Sequence, residues 1–167
     1  MTTYIGIDPG KTGGVAAILP DGSLELHTIP LIGKEVDKQA LSQIIGSYTK
    51  GPHIFVLEDV HAIPGTSAGT NFAFGNIKGM KEGLLIAHKA VHVLVAPKTW
   101  QKTLWMGIPV QKKAAGGNDT KATSLLSARR WFPTESFLST SRSSVPHDGL
   151  VDAALMAKFA EITYGKK

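Results

Sequence analysis

Four carboxylates stand where the sequence changes direction. Asp8 closes a short apolar run at residues 4–8, which is stopped by Pro9-Gly10. Glu58 closes another, directly after Ile54-Phe55-Val56-Leu57. Asp148 and Asp152 open an amphipathic stretch at residues 148–164; four positions apart, they share one face of a helix. Like charges at that spacing destabilise a helix by roughly 0.2–0.5 kcal/mol unless a cation lies between them. Taken singly, Asp148 reads as a helix cap and Asp8 as an ordinary turn residue. Glu58 after its apolar run and Asp152 against Ala153-Ala154-Leu155 fit neither description. Several unpaired carboxylates buried together need a counter-ion, and a divalent metal supplies one.

The composition narrows which metal. The chain has no cysteine, so disulfides and thiolate sites are excluded, and any ion must be held by carboxylates and histidines. That donor set suits hard cations, Mg²⁺ or Mn²⁺. Lys and Arg number 18 against 13 Asp and Glu, a formal charge of +5 that favours a polyanionic partner. The N-terminus lacks the basic start and apolar core of a secretory signal, and no run approaches the ~20 apolar residues of a membrane span. A cytoplasmic protein with no membrane partner is expected.

The elements that must position the acids follow from periodicity. Residues 4–8, 14–19 and 23–29 read as an antiparallel meander, with Asp21-Gly22 as its hairpin signal. Ala40, Leu41, Ile44 and Ile45 give residues 37–48 a helical spacing, and residues 53–57 form a buried-type strand ending at Glu58. A Gly/Ser/Thr/Pro-rich segment at 62–71 leads into a glycine-rich helix at 72–88, followed by a strand at 90–95. Pro97 suits the first turn of a short helix. Residues 111–117 read as a mobile basic loop, and Asn118 or Asp119 caps a helix running to Trp131. Residues 136–144 form a second loop before the final helix. The length fits one domain spanning 1–167, with an α/β architecture: a mixed five-stranded sheet, three antiparallel strands then two parallel, flanked by helices.

The segments Ile5-Gly6-Ile7-Asp8-Pro9-Gly10, Val56-Leu57-Glu58 and His147-Asp148-Gly149-Leu150-Val151-Asp152-Ala153-Ala154-Leu155 resemble, in order and separation, the three acidic motifs of RuvC-type Holliday junction resolvases. The resemblance spans nearly the whole chain. Pro97-Lys98-Thr99-Trp100 and the stretch from Asp119 to Pro133 are similar to phage-encoded and organellar members. The last motif departs from the common bacterial pattern of two acids three apart, because position 149 is Gly and the partner acid is Asp148. The resemblance implies an RNase H-like fold, a homodimer, four-way DNA as substrate, and two divalent ions per site. Asp8 would bridge both ions and Glu58 and Asp152 would each hold one, with Asp148, His147 or both completing the site. His147, if it is no ligand, would position or deprotonate the attacking water, unless it is a solvated surface residue. Cleavage would leave a 5′-phosphate and a 3′-hydroxyl.

Lys102, Lys112, Lys113, Lys121, Arg129 and Arg130 fall in one part of the chain and suit backbone phosphates, although Arg129 and Arg130 equally suit a solvated helix face. Phe72 and Phe74 resemble the place where resolvases insert a side chain at the crossover. Gly75, Gly79 and Gly83 recur every four residues, which implies either internal helix packing or a dimer seam.

Other readings keep part of this picture. An RNase H-like nuclease acting on RNA–DNA hybrids, flaps or RNA precursors would need no symmetric dimer. A non-catalytic branched-DNA-binding protein would keep the basic loops and lose a carboxylate, yet all the expected acids are present. Asp8-Pro9-Gly10-Lys11-Thr12-Gly13 resembles the phosphate-binding turn of the sugar kinase and actin superfamily, whose two enclosing domains exceed this length, so no nucleotide cofactor is expected.

Overall fold

The computed structural model describes residues 1–61 and 65–165. Strands β1 (Thr3–Ile7), β2 (Gly14–Ile18) and β3 (Leu24–Thr28) form the expected meander. Gly22 takes the left-handed conformation that the Asp21-Gly22 turn requires. A small hairpin follows, β4 (Leu31–Ile32) with β5 (Glu35–Val36), and then helix α1 (Lys38–Ser47). Strand β6 (His53–Glu58), helix α2 (Ala68–Ala87), strand β7 (His92–Val95) and helices α3 (Pro97–Leu104), α4 (Thr120–Trp131) and α5 (Asp148–Tyr164) complete the order.

The main sheet runs β3-β2-β1-β6-β7, with β1 antiparallel to β2 and parallel to β6. Three antiparallel strands then two parallel ones are what the sequence pattern predicts. Side chains alternate across the sheet, so each face carries its own core. Ile5, Ile7, Val15, Ala17, Phe55 and Leu57 pack under Leu41 and Ile45 of α1 and Leu85 of α2. Ala16, Ile18 and Val56 pack under α5, with Trp100 and Leu104 of α3 and Ala128 of α4 outside it. Truncating a buried Leu or Ile such as Leu57 or Ile45 to Ala should cost about 2–5 kcal/mol.

Helix α5 is apolar nearly all round, as a helix at the centre of a fold must be. It lies directly on β1 because Gly6 has no side chain: a Cβ there would meet the Ala153 carbonyl oxygen at 2.1 Å. This contact fixes where the start of α5 meets the end of β1.

Several boundaries differ from expectation. Helix α2 begins at Ala68 rather than 72, because the Ser67 hydroxyl accepts from the Thr70 backbone N–H at 3.1 Å and caps it. Residues 62–64 of the expected loop lie outside the described residues. The β4–β5 hairpin has no counterpart in the sequence reading; Gly33, at positive φ, makes its turn. The basic loop is a tight turn: Lys113 N–H donates to the Gly117 carbonyl, Gly116 N–H to Lys113 and Asp119 N–H to Gln111. Among the described residues no helix is long and apolar enough to cross a membrane.

Candidate active site

Two neighbouring parallel strands end together. Ile7 of β1 is in register with Leu57 of β6, so Asp8 and Glu58, each one residue further on, leave the same edge of the sheet side by side. Ligands gather at the carboxyl ends of parallel strands because loops there open a crevice. The start of α5 faces this edge, with Gly13 of the β1–β2 turn bridged to Gly149. Asp152, one turn into α5, therefore comes to Asp8 and Glu58.

Each acid is oriented by a neighbour. Asp8 Oδ1 accepts from Gly10 N–H at 2.9 Å. Glu58 Oε1 accepts from the Trp100 indole Nε1–H at 2.9 Å. Asp152 Oδ1 is buried and has no hydrogen-bond partner. Burial pushes the Asp8 carboxyl above the usual range, against the opposing pull of the Gly10 hydrogen bond, Lys81 and His147. Burial likewise raises Glu58 to about 7, offset by Trp100 and reinforced by Asp8. Asp152 rises to about 7, again chiefly by burial, with Ser124 opposing and Asp8, Glu58 and Asp148 adding to the shift. The acids thus share one field, and each becomes harder to ionise while its neighbours are charged, a cost that a cation among them would offset.

Asp148 differs from its neighbours. It is half-exposed and paired with Lys121 Nζ at 2.6 Å. It is the first helical residue rather than the cap; His147 is the cap, its Nδ1 accepting from Leu150 N–H at 3.3 Å. Among the described residues no three acid or histidine side chains, as they stand, surround one point that an ion would fill. Glu58 is bonded to Trp100 and Asp148 to Lys121 in this arrangement. The donor set nonetheless fits a hard divalent ion: it is all oxygen, and Asp152 Oδ1 is a buried acceptor with nothing to accept from. A small cavity of about 230 Å³ beside Asp148 and His147 is lined also by Thr12, Ser139 and Pro146. A larger depression of about 1290 Å³ lies at the opposite end of β1 and β6, around Tyr4, Ile54 and Lys158, away from the acids. Chemistry rather than volume marks the site.

No protein-family model matches this chain, and no curated protein matches its sequence. Solved structures do match. RuvC from T. thermophilus, in complex with Holliday junction substrate, aligns over 98% of this chain and 96% of that one, with TM-score 0.56 and 13% identity. The chain has the RuvC fold. The yeast mitochondrial Holliday junction resolvase Ydc2 aligns over 93% of this chain and 75% of that one, with TM-score 0.51 and 14% identity. As this chain builds the RuvC fold, the acids that the motifs single out lie at the junction of β1, β6 and α5.

The remaining candidates lie on α2, α3, α4 and the turn before α4. Lys112 and Lys113 are exposed on their turn, Lys112 donating to Asn118 Oδ1 at 2.6 Å. Lys102 and Arg129 are exposed on α3 and α4. Arg130 is engaged within the protein, donating to the Met106 carbonyl at 2.7 Å and the Leu104 carbonyl at 3.2 Å. Phe72 is 76% exposed, whereas Phe74 is half-buried. A Cβ on Gly75, Gly79 or Gly83 would meet nothing within 4 Å, so of the two expectations for this row internal packing is excluded.

Three residues near the acids have no role in the sequence reading: Ser124, Lys81, and Trp100, which enters it only as the last residue of Pro97-Lys98-Thr99-Trp100. Lys81 of α2 is fully buried, and its Nζ donates to the carbonyls of Asp8 at 3.0 Å and Gly10 at 2.9 Å. Burial lowers its pKa to about 8, against the pull of Asp8. A signal for it existed. Lys81 interrupts an apolar row that runs Ile77, Lys81, Leu84, Leu85, and a lysine in such a row either snorkels or has a buried partner.

Proposed function

We propose that this chain is a metal-dependent, structure-specific DNA endonuclease that resolves four-way junctions by paired symmetric nicks. The observation that carries the reading is the desolvated set Asp8, Glu58 and Asp152, with Asp152 Oδ1 buried and unpartnered, at the edge where β1, β6 and α5 meet. The shared fold with RuvC, solved in complex with Holliday junction substrate, supports the choice of DNA and of junctions.

In this reading Asp8, Glu58 and Asp152 would hold Mg²⁺ or Mn²⁺, two ions per site, and Asp148, now paired with Lys121, would complete the set. When bound, the ions activate a water for in-line attack and neutralise charge on the departing 3′-oxygen, leaving a 5′-phosphate. Glu58 and Asp152, raised to about 7, would have to be deprotonated to serve as ligands. Trp100 keeps Glu58 turned into the site. His147 has Nδ1 committed to the α5 cap, so Nε2 remains to orient a water. Lys102, Lys112, Lys113, Lys121 and Arg129 contact phosphates. Symmetric cutting requires two sites, and the open face of α2, with Phe72, Gly75, Gly79, Gly83 and Ile86, suits a second copy of the chain. Phe74, on the inner edge of α2, is then the better placed of the two aromatics to reach the crossover.

The test is cleavage of a synthetic immobile four-way junction in Mg²⁺ or Mn²⁺, with linear, flap and RNA–DNA hybrid controls. Wild type should make paired, ligatable nicks confined to the junction, and Asp8→Asn should make none. Equal cutting of hybrids or flaps by a monomer would sink the resolvase reading.

A further inference from the structure

Helix α2 reaches the turn that carries Asp8 through Lys81. Lys81 has no surface exposure and no carboxylate within ion-pair distance among the described residues; its Nζ is satisfied by two backbone carbonyls, those of Asp8 and Gly10. Those carbonyls belong to the turn that carries Asp8. The turn's other bonds include Gly10 N–H to Asp8 Oδ1, Gly13 N–H to the Gly10 carbonyl and Asp8 N–H to the Gly14 carbonyl, the last two at 3.0 Å, and its far end is bridged through Gly13 to Gly149 of α5. A buried ammonium bonded to neutral acceptors is unfavourable unless the surrounding field is negative. Here the field comes from the acids, with Asp8 acting directly on Lys81.

A second lysine on the same helix face ties α2 to the other acid-bearing strand. Lys78, one turn earlier, pairs with Asp59, the residue after Glu58. Helix α2 is therefore fastened by Lys78 to the end of β6 and by Lys81 to the turn after β1. The same face carries Phe74 further toward the helix start.

Resting on the nuclease reading above, we propose that Lys81 is a positioning residue: from α2 it holds the Asp8–Gly10 turn in the conformation that lets Asp8 take up a divalent ion. It touches no reacting atom. Its effect is on how the Asp8 turn is presented, and through α2 it links that presentation to the helix expected to meet DNA. A lysine that merely filled core volume would be replaced by methionine, of similar length and apolar, without effect on ion uptake.

The experiment is Mn²⁺ binding to the intact protein, read as loss of the free-ion electron paramagnetic resonance signal, for wild type, K81M and L85A. Leu85, one turn along, is fully buried in the apolar cluster with Leu41 and Ile45 and makes no hydrogen bond through its side chain, so L85A reports the effect of a loosened α2. K81M should bind Mn²⁺ at least ~10-fold more weakly, the scale seen when a residue orienting a ligand is removed. Its half-saturating Mn²⁺ for junction cleavage should rise in parallel, while L85A binds as wild type despite a lower Tm. If K81M does not fold, K81Q, which keeps one amide donor, carries the same expectation. Wild-type Mn²⁺ affinity in a folded Lys81 variant overturns the proposal and leaves the nuclease reading intact. If wild type binds no Mn²⁺ and cuts no junction, both fall.

Discussion

Gly13 and Gly149 meet backbone to backbone: a Cβ on Gly149 would lie 2.6 Å from the Cα and carbonyl carbon of Gly13. Gly149 is the position where the acidic motif, in its common spacing, would carry a second acid. In this chain that place is taken by the contact that brings α5 to the end of β1, and the neighbouring acid, Asp148, is half-exposed and paired with Lys121. Gly149→Ala should therefore lower stability by about 1–3 kcal/mol, the usual range for overpacking, and reduce cleavage further by moving Asp152. Gly149→Asp should not rescue Asp148→Ala. Denaturant melts and junction cleavage on the same preparations check this; a stable, active Gly149→Asp would show that the backbone contact is dispensable.

Asp152 sets function against stability. Its Oδ1 is buried and unpartnered, and burial is the main cause of its raised pKa. At pH 8 without metal, Asp152→Asn removes a buried charge at nearly constant volume. The expected result is a gain of roughly 1 kcal/mol, or about 2–4 °C in Tm, together with loss of at least ~100-fold in cleavage rate, since a ligand should matter more than its outer-shell supports. A comparable fall in Tm would instead mark Asp152 as a structural residue.

The fold was legible because its periodicities are strong. The apolar runs at 14–19 and 53–57, the alternation at 23–29, the Asp21-Gly22 turn and the long last helix each specify an element, and their order specifies the sheet. The acids were legible as interruptions of apolar runs. What stayed hidden depends on contacts between distant segments: Trp100 lies 42 residues from Glu58, and Lys81 lies 73 from Asp8. The start of α2 was missed for a local reason, because Gly, Ser and Thr read as loop while Ser67 was in fact capping a helix. Gly149 looked like a missing ligand because its neighbour, Gly13, is on another element.

The pH dependence of the metal-free protein follows from the shifted groups. Glu58 and Asp152 start from 4.5 and 3.8 and are each raised to about 7. The native state thus holds protons that the unfolded chain has lost, so their contribution to stability is full below pH ~4 and is lost as pH rises through 7. Lys81 has the opposite sign: lowered from 10.5 to about 8, it makes stability recover as pH rises above 8. Melting in EDTA should accordingly show Tm falling from pH 4.5 to 7 and reaching a minimum near 7–8. Saturating Mn²⁺ should largely remove the minimum, because it replaces the protons. A flat profile in EDTA would mean that the acids are better solvated than their burial indicates.

The turn bearing Lys112 and Lys113 is ordered by its own backbone, with Gly116 and Gly117 both at positive φ and Lys112 bridged to Asn118. It packs against none of the acids, so replacing both lysines with alanine should leave Tm and Mn²⁺ binding unchanged. If each lysine neutralises one phosphate of duplex DNA, their loss removes two released counterions. The slope of log K against log salt should then become shallower by about 1.8. Junction affinity should fall most at low salt, where those counterions contribute most, while the cleavage rate of the saturated complex stays within about twofold of wild type. Arg130→Ala makes the opposing control: its guanidinium is spent on the Leu104 and Met106 carbonyls, so it should lower Tm and leave the salt slope alone. An unchanged slope in the double lysine variant would place the phosphate contacts elsewhere, on Lys102, Lys121 or Arg129.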